Sequence, residues 1–532
     1  MTSSVYLRPN VVLEPLVNHW YAWAYSVAPS SAGHFTRWQQ KLMESFIASP
    51  EAHAEAVKNP ALLGGPFLSC APERVKEVQS LLEDTRKRCA QSLEMAEAYT
   101  QLEGLLGEAQ GYSLKALYPR VPALLRGYVE LAYDLQNRAG ARLLEGLLYR
   151  SPFHRPQDQS FTVWSVDRDA RPFVFASPRL PDPERLELQL PFSDPRVDEI
   201  VRLRRAPAPR ERVQELFGVS TAAERAVLDS MLTTESPAPR RAAPGDGVRL
   251  SYLGHACVLI EAPGTTILTD PVIGYHESTS PPRLTVTALP DRIDYVVITH
   301  AHADHLMFET LLELRSRIGT VLVPKSNGGT LQDPSLKLLL QSVGFTRVVE
   351  LDEMEAVPFE GGEVRAIPFL GEHADVAIRA KSAWLVKAGG RSVLFAADSN
   401  TLEPALYRHV REAIGPLDTL FLGMECEGAP LSWVYGPLYS SPIPRKVDQA
   451  RRLNGAGFEA ATQLIEALGP KSVSLYAMGQ EPWLSHVMAL KYTDSSPQIV
   501  ESDKLMAWGR QRGLDVGRPF CELTLHWGGQ AK

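Results

Sequence analysis

Three histidines and an aspartate lie within six positions, directly after an apolar run of β-branched residues. The run spans 296–299, and the cluster consists of His300, His302, Asp304 and His305. Side chains alternate along an extended chain, so His300 and His302 point the same way and can hold one ion. Asp304 and His305 come after the turn and can hold a second ion. Because imidazole and carboxylate groups bind zinc, iron or manganese, we interpret the cluster as a dinuclear metal site rather than a polar loop with solvated histidines.

Candidate ligands also follow two later strands. The apolar run 392–397 is typical of a buried strand, and Asp398 at its end could bridge both ions. The run 367–370 ends shortly before Glu372 and His373, and either neighbour could be the third ligand of the first ion. The residues alone leave both neighbours open, because a different turn would exchange them.

Three further residues complete the expected site. The strand-like run 472–476 leads to a loop with His486, which we expect to complete the second ion, although lone histidines often lie at the surface or in a core. His255 and Asp270 follow two other strand-like runs. We expect them to orient the ligands, since metal-bound imidazole usually donates its second N–H to a nearby acceptor. Asp270 could instead cap the turn before Pro271.

This order of motifs resembles the metallo-β-lactamase superfamily. The shared motifs are Gly254-His255, Thr269-Asp270-Pro271, His300-x-His302-x-Asp304-His305, a ligand near residue 372, Asp398 and a late histidine. The resemblance implies a four-layer αββα sandwich, in which two sheets pack face to face between helices. It implies no single reaction, because the superfamily includes hydrolases, nucleases and oxygen-using enzymes.

Three segments bear a closer resemblance to the diiron β-hydroxylases of the chloramphenicol biosynthesis family. They are 6–12 (YLRPNVV), 368–373 (PFLGEH) and 476–483 (YAMGQEPW), and the similarity spans the chain. Such monooxygenases hydroxylate the β-carbon of an amino acid held as a thioester on a carrier domain of a nonribosomal peptide synthetase. In that family a glutamate replaces the third histidine that hydrolases use on the first metal, and Glu372 stands at that position.

The resemblance implies a complete ligand set for two iron ions. It assigns His300, His302 and Glu372 to the first iron, Asp304, His305 and His486 to the second, Asp398 to both, and His373, His255 and Asp270 to the surrounding residues that orient the ligands. Glu372 and Asp398 are then the candidate catalytic residues of an oxo- or hydroxo-bridged diiron cluster with O2 as co-substrate. A carboxylate in place of imidazole favours iron over zinc and stabilises the oxidised cluster.

Two other functions are alternatives. If His373 is the ligand, the site is expected to hold two zinc ions and to hydrolyse an ester, a lactone or a phosphodiester. The chain could also be a non-catalytic adaptor of a carrier domain with a relic site, which the complete ligand set disfavours. The resemblance suggests that the substrate amino acid is aromatic, and the residues do not identify it further.

The chain of 532 residues is long enough for two domains, each with its own core. We expect an α/β or α+β accessory domain at 1–235, a Pro/Gly-rich linker at 236–247 and the catalytic domain at 248–532. In the catalytic domain, helical stretches such as 308–318 and 458–468 alternate with short strands. By resemblance, the accessory domain helps with dimerisation and carrier docking.

The N-terminal part contains further expected elements and a basic run. A helix is predicted over 72–106, and strands are predicted over 161–164 and 173–175. The aromatic residues near the N-terminus are interpreted as core rather than as a binding site; they are Trp20, Tyr21, Trp23, Tyr25 and Trp38. The basic run could dock an acidic carrier domain or be a solvated face; it comprises Arg202, Arg204, Arg205, Arg210 and Arg212.

Composition sets the expected environment and partners. A net charge of −7 argues against nucleic acid and anionic membranes as partners. We find no long apolar run and no signal peptide, so we expect a cytoplasmic protein. The five cysteines are too scattered for an iron–sulfur motif, and no flavin or nicotinamide fingerprint is present. We therefore predict a separate reductase or ferredoxin as electron donor.

Overall fold

The computed structural model describes residues 4–238, 240–277 and 282–527. The strands of the N-terminal part are β1 (Ser4–Leu7), β2 (Val11–Val17), β3 (Trp20–Tyr21), β4 (Val129–Tyr133), β5 (Ala139–Leu143), β6 (Gln159–Ser165), β7 (Leu186–Leu188), β8 (Ala208–Pro209) and β9 (Leu232–Thr233). Its helices are α1 (Ala24–Val27), α2 (Ala32–Ala48), α3 (Pro50–Ala56), α4 (Val75–Arg88), α5 (Ala90–Gly107), α6 (Glu145–Leu148), α7 (Pro195–Arg202), α8 (Arg210–Phe217) and α9 (Ala222–Ser230).

Two predictions for the N-terminal part need correction. The helix predicted over 72–106 is two helices, α4 and α5, which are separated at Cys89. The strand predicted over 173–175 is wrong, because this segment lies at the 3-10 turn Val174–Ala176. A run of three apolar residues fits a buried turn as well as a strand, and Val174 is buried here within the turn.

The C-terminal part contains the remaining elements. Its strands are β10 (Val248–Gly254), β11 (Cys257–Ala262), β12 (Thr265–Thr269), β13 (Ile293–Val297), β14 (Ile318–Pro324), β15 (Val348–Leu351), β16 (Ala356–Phe359), β17 (Gly362–Ile367), β18 (Ala383–Ala388), β19 (Arg391–Phe395), β20 (Thr419–Gly423), β21 (Ser472–Tyr476), β22 (Asp515–Gly517) and β23 (Leu523–Trp527). Its helices are α10 (Phe308–Leu314), α11 (Leu336–Ser342), α12 (Pro404–Ile414), α13 (Leu431–Val434), α14 (Arg445–Ala450), α15 (Phe458–Leu468), α16 (Ser485–Met488) and α17 (Pro497–Gln511). Within the described ranges, no helix has the length and apolar character needed to cross a membrane.

Two seven-stranded sheets form the centre of the C-terminal part. The first has the order β15-β14-β13-β12-β11-β10-β23, and the second has the order β16-β17-β18-β19-β20-β21-β22. Strands β12 to β15 run parallel to one another, as do β19 to β22. The other neighbours are antiparallel. The αββα sandwich expected from the motif order is confirmed.

The central strands of the sandwich bury both of their faces. In β19, Val393 and Phe395 face the space between the sheets, whereas Leu394 faces the outer helices. Trp384 and Phe421 also fill the space between the sheets and are almost fully buried. Helices α12, α15 and α17 cover the second sheet, and α10 and α11 cover the first.

The largest apolar cluster is shared between the N-terminal and C-terminal parts. We expected each part to have a core of its own, and a small one does lie between α2 and α4. However, β1, β2, α7 and α8 pack into one cluster with α10, α11 and the first sheet. Phe192 stacks on Phe308 in this cluster, with 6.2 Å between the ring centroids. Because α10 and α11 have seven residues each, they cannot cover the whole sheet, and N-terminal elements cover the rest.

A buried ion-pair network also joins the two parts. Glu14 of β2 pairs with Arg171 and with Arg179, whose Nη2 lies 2.9 Å from Glu14 Oε1. Arg171 donates hydrogen bonds of 2.9 and 2.8 Å to Glu309 of α10. Burial would raise the pKa of Glu14, but the guanidinium groups of Arg179 and Arg171 hold it well below its ordinary value. Two carboxylates therefore balance two guanidinium groups at this buried contact.

We expect Glu14→Gln to lower the free energy of unfolding by about 3–5 kcal/mol, because two buried guanidinium groups then share one carboxylate. Urea or thermal unfolding measures the loss. Glu130→Gln is the matched control, since it removes the exposed partner of Arg142 and should cost less than about 1 kcal/mol. Equal losses in the two variants would show that the buried network does not stabilise the contact.

Candidate dinuclear metal centre

The candidate site lies where strands of both sheets end. Strands β12 and β13 end shortly before Asp270 and His300, and β17 and β19 end before Glu372 and Asp398. Strands that run in the same direction bring their carboxyl ends to one edge, so residues far apart in the sequence meet there. The backbone φ angle is positive at Glu372 (68°), at Asp270 (27°) and at His255 (50°). Such strained conformations persist only where surrounding contacts hold them, and they collect at functional sites.

His300, His302, Glu372 and His373 form the first group of candidate donors, and one atom of each lies within 4.8 Å of the others. His302 Nδ1 lies 3.1 Å from His300 Nε2 and 3.0 Å from Glu372 Oε1. The other carboxylate oxygen, Glu372 Oε2, lies 2.9 Å from His373 Nδ1. The structure therefore brings both sequence neighbours to the first group, with the Glu372 carboxylate next to both His302 and His373.

Asp398 connects this group to a second one. Its Oδ2 lies 3.6 Å from His300 Nε2 and 3.1 Å from His305 Nε2. The second group consists of His255, Asp304 and His305, and Asp304 Oδ2 lies 3.7 Å from His305 Nε2. Asp398 thus occupies the position of a carboxylate that bridges two ions.

Hydrogen bonds from neighbouring residues fix the orientation of these groups. His305 Nδ1 lies 2.8 Å from Asp270 Oδ2, so its N–H donates to that carboxylate and its Nε2 faces Asp398. His255 Nδ1 accepts a hydrogen bond from the backbone N–H of Gly479, so that its Nε2 carries a proton and donates to Asp304. Asp270 and His255 therefore lie where residues that orient metal ligands are expected.

A pair of tyrosines supports His302 from the side of the N-terminal part. The Nε2 of His302 lies 2.8 Å from Tyr435 Oη. The ring of Tyr435 packs edge-on against Tyr25 of α1, with 6.2 Å between the centroids, and Tyr25 donates a 2.7 Å hydrogen bond to the carbonyl of Gln332. When Nε2 of His302 carries the proton and donates it to Tyr435, the lone pair on Nδ1 is available to bind a metal ion together with the other candidate ligands.

The donor set fits a pair of cations. Ligand atoms held about 2.1 Å from one ion lie about 3.0–3.4 Å apart, and the neighbouring donors have comparable spacings. His305 Nε2 and Asp398 Oδ1 are buried without a hydrogen-bond partner among the described residues. A buried polar atom without a partner lowers the stability of the fold unless another group binds it. Burial would lower the pKa of His305, but the surrounding carboxylates, Asp398 foremost, raise it well above its ordinary value. The site therefore stabilises positive charge.

His486 does not join these donors, contrary to the prediction. In the described ranges it belongs to no group of candidate ligands. Its Nδ1 lies 2.6 Å from the carbonyl oxygen of Trp483, and its ring packs edge-on against Tyr21. Because α16 is a single turn, its register directs His486 into the contact with the N-terminal part, while Val487 and Met488 line the cavity described below. Burial lowers the pKa of His486 far below its ordinary value, as in a neutral core histidine.

Glu425 is a candidate donor that the sequence reasoning missed. It follows β20, the neighbour of β19 in the second sheet, and lines the same cavity as Asp304 and Asp398. Burial and the charges of Asp304 and Asp398 raise the pKa of Glu425 well above its ordinary value, as expected for carboxyl groups that share one site. The available signal is an acidic residue at the end of a buried strand that lies beside the strand before Asp398.

A cavity of about 490 Å³ leads to the candidate donors. The donors on its wall are His302, Asp304, Glu372, Asp398 and Glu425. An aromatic part of the wall comes from the N-terminal part; it contains Trp20, Tyr21, Trp23, Phe35, Trp38, Phe173 and Phe175. Trp433, from the aromatic segment 431–439, lines a further side. Trp20 and Tyr21 are almost fully buried and also line the cavity. These two residues, interpreted from the sequence as core, therefore belong both to the core and to the cavity wall.

The basic run of the N-terminal part is mostly paired, and this argues against it as a docking surface. The ion pairs are Arg204–Glu313, Arg205–Asp291, Arg210–Asp229 and Arg212–Glu199. Arg204 is also buried. Asp291 lies just before β13, whereas the donors follow the end of β13. The run therefore lies at the opposite end of the sheet from the candidate metal centre.

The two sheets and the donors at their strand ends define a metallo-β-lactamase-type fold with a dinuclear metal centre. A sequence profile described as a beta-lactamase superfamily domain matches residues 265–471, and one described as a diiron non-heme beta-hydroxylase N-terminal domain matches residues 6–237. A 4-amino-L-phenylalanyl-CmlP-peptidyl-carrier-protein 3-hydroxylase of Streptomyces venezuelae is 40% identical over 527 residues, which cover 98% of this chain and 99% of that protein. The chain belongs to the diiron non-heme β-hydroxylase family.

Solved structures agree over the whole length. The crystal structure of CmlA, a diiron beta-hydroxylase from Streptomyces venezuelae, matches with a TM-score of 0.91 and 39% identity, covering 99% of this chain and 100% of that one. A point mutant of CmlA matches with a TM-score of 0.89. By contrast, an N-acyl-phosphatidylethanolamine-hydrolyzing phospholipase D of Caenorhabditis elegans is similar over 16% of this chain and 26% of its own length. The resemblance inferred from the motifs is confirmed, and the chain is a diiron β-hydroxylase.

Asp270→Asn should weaken metal retention about 10- to 100-fold, because the amide no longer holds the His305 ring through a charged acceptor. Elemental analysis after dialysis against a chelator measures the retained metal. Asp291→Asn is the control, since this carboxylate lies at the opposite end of β13 and should leave retention unchanged. Wild-type retention in Asp270→Asn would show that this hydrogen bond does not orient a ligand.

Glu425→Gln should lose the more weakly held of the two ions, because the amide is a poorer ligand than a carboxylate. His486→Gln places an amide in the contact with the N-terminal part and should keep both ions, although it can lower stability. Metal content per chain separates the two variants. The reverse pattern would restore His486 as the ligand of the second ion.

Proposed function

We propose that this enzyme hydroxylates the β-carbon of an aromatic amino acid held as a thioester on a carrier domain of a nonribosomal peptide synthetase. One observation carries the proposal: metal donors and aromatic side chains line the same cavity. An aryl group can pack against Trp20 and Phe175, with its β-carbon directed toward Asp304 and Asp398. The activity of the Streptomyces relative, a 3-hydroxylase of a carrier-bound 4-amino-L-phenylalanyl group, supports the same substrate class.

The donors divide between two ions in this proposal. His300, His302 and Glu372 would hold the first ion, Asp304, His305 and Glu425 would hold the second, and Asp398 would bind both. A pair of iron ions bound there would supply oxygen activation with two electrons from an external donor. Glu372 favours iron at this position, because an anionic oxygen donor stabilises an oxidised metal better than imidazole does.

The residues of the chain position the substrate and keep the donor groups in place. The aromatic wall restricts the substrate side chain to one orientation, and this selects the carbon that reacts. Asp270 fixes the ring of His305, and Tyr435 fixes the ring of His302. His373 Nδ1 lies 2.9 Å from Glu372 Oε2 and holds this carboxylate next to His302. Buried aromatic walls also exclude water, which would otherwise weaken each of these polar contacts.

The other partners follow from the sequence and the family. We expect a reductase or ferredoxin to supply electrons, since the chain has no iron–sulfur, flavin or nicotinamide motif. We also expect a homodimer and a cytoplasmic location, where the synthetase and the electron donor are available.

The proposal predicts that the iron-loaded enzyme, given oxygen and a reductant, adds one oxygen atom to a 4-amino-L-phenylalanyl group on the CmlP peptidyl carrier protein. Intact-protein mass spectrometry of the carrier detects the product. In the same assay Glu372→Ala should abolish hydroxylation, because it removes the anionic donor of the first ion, and His373→Ala should only slow it.

Elemental analysis and an optical spectrum of the wild-type protein complete the test. Iron with cluster absorption supports the hydroxylase. A colourless zinc protein that hydrolyses an ester, lactone or phosphodiester, and oxidises nothing, would identify the hydrolase alternative. Loss of activity in His373→Ala together with activity in Glu372→Ala would move the ligand assignment by one residue.

A further inference from the structure

The exposed residues on the cavity wall mark where the cavity opens. They are Pro60, Ala61, Pro66 and Glu427, whereas the other lining residues are buried or half-buried. The mouth therefore lies between the segment 60–66 of the N-terminal part and the segment that begins at Glu427. A substrate carried on a flexible arm must enter here, and a folded carrier domain is too large to follow it.

Helix α14 is fixed beside this mouth. Asp448 of α14 accepts hydrogen bonds of 2.7 and 2.9 Å from the backbone N–H and the hydroxyl of Ser432 in α13. The chain after α14 returns along the same segment, since the N–H of Leu431 donates to the carbonyl of Arg451 at 3.0 Å. Arg452 itself lines the cavity together with Trp433. Helix α14 is thus attached to the wall that closes one side of the mouth.

The segment 427–452 carries four cations, two carboxylates (Glu427 and Asp448) and exposed apolar side chains, so the surface formed here is net positive and partly apolar. Its charged members are Arg445, Lys446, Arg451 and Arg452, and its exposed apolar members are Tyr439 and Val447; we call these six residues the mouth rim. In the part of the chain that the structure describes, none of the four cations forms an ion pair. Arg451 donates to the carbonyl of Ala374, and Arg452 donates to the side chain of Gln449.

The mouth rim differs in this respect from the basic run near Arg204. Four of the five arginines in that run already have carboxylate partners, and the run lies at the far end of the first sheet. On a chain of net charge −7, a cluster of unpaired cations at the mouth makes a local positive field. Such a field steers an acidic partner and fixes its orientation, while exposed Tyr and Val side chains provide apolar contact area.

We propose that the mouth rim is the docking surface for an acidic face of the carrier domain that delivers the thioester. The inference rests on the proposed function and adds the place where the partner binds. The domain stays outside on Arg445, Lys446 and Val447, and its arm passes the side of Trp433 toward the metal donors.

Binding kinetics of the iron-loaded enzyme with the 4-amino-L-phenylalanyl-loaded CmlP carrier protein test this proposal. Arg445→Glu combined with Lys446→Glu should raise Kd about tenfold at low ionic strength, mainly through slower association, and the difference from wild type should shrink at high salt. Arg202→Glu combined with Arg225→Glu is the control; it makes the same charge change on exposed residues of the N-terminal part and should leave Kd unchanged. Thermal unfolding of all variants verifies folding.

The outcomes separate this proposal from the proposed function. A wild-type enzyme that hydroxylates the loaded carrier, together with an unchanged Kd in the α14 variant, would overturn the docking surface alone. A larger effect of the Arg202 and Arg225 variant would overturn it as well and place docking on the N-terminal part, which carries both residues. A wild-type enzyme that neither binds nor hydroxylates the loaded carrier would overturn the proposed function and the docking surface together.

Discussion

The burial of unpaired donor atoms at one sheet edge is the constraint on which the rest of this structure depends. His305 Nε2 and Asp398 Oδ1 have no hydrogen-bond partner in the described ranges, and Asp304 and Glu425 line the same cavity as Asp398. Carboxylates that share a buried site repel one another and lose hydration, so the arrangement is costly without cations. The two sheets supply the rigidity that holds these groups together, including Glu372 in its left-handed conformation.

The N-terminal part also contributes to the metal centre. It supports the ring of His302 through Tyr435, and it supplies part of the cavity wall. Tyr435, which holds the ring of His302, packs against Tyr25 of α1. The aromatic part of the cavity wall also comes from N-terminal residues, such as Trp20 and Phe175. Neither part alone therefore supplies the whole wall of the cavity, and the largest apolar cluster likewise crosses the boundary between them.

The sequence predicts what depends on local pattern and misses what depends on packing at long range. The spacing of His300, His302, Asp304 and His305 is local, and Asp398 follows a strand that is evident from its apolar run. The role expected for His486 failed because the face that a one-turn helix presents is set by its neighbours, here Tyr21 and Trp483. Other failures have the same origin: Glu425 lies in an irregular segment after β20, and the partners of the basic run, such as Asp291 and Glu313, lie far along the chain.

The ion-pair network between the N-terminal and C-terminal parts contributes to stability and also contacts the aromatic wall of the cavity. Glu14 lies on β2, which leads directly into β3 with Trp20 and Tyr21 of the cavity wall. Tyr21 donates a 3.1 Å hydrogen bond to Glu309, the same carboxylate that Arg171 binds. Glu309 lies in the first turn of α10, which begins at Phe308, soon after the donor segment that ends at His305. One network therefore links the aromatic wall to the helix that follows the donors. Because positioning errors of about 1 Å can lower rates about a hundredfold, we expect changes in this network to lower the rate by shifting the aromatic wall relative to the donors, even where every donor stays in place.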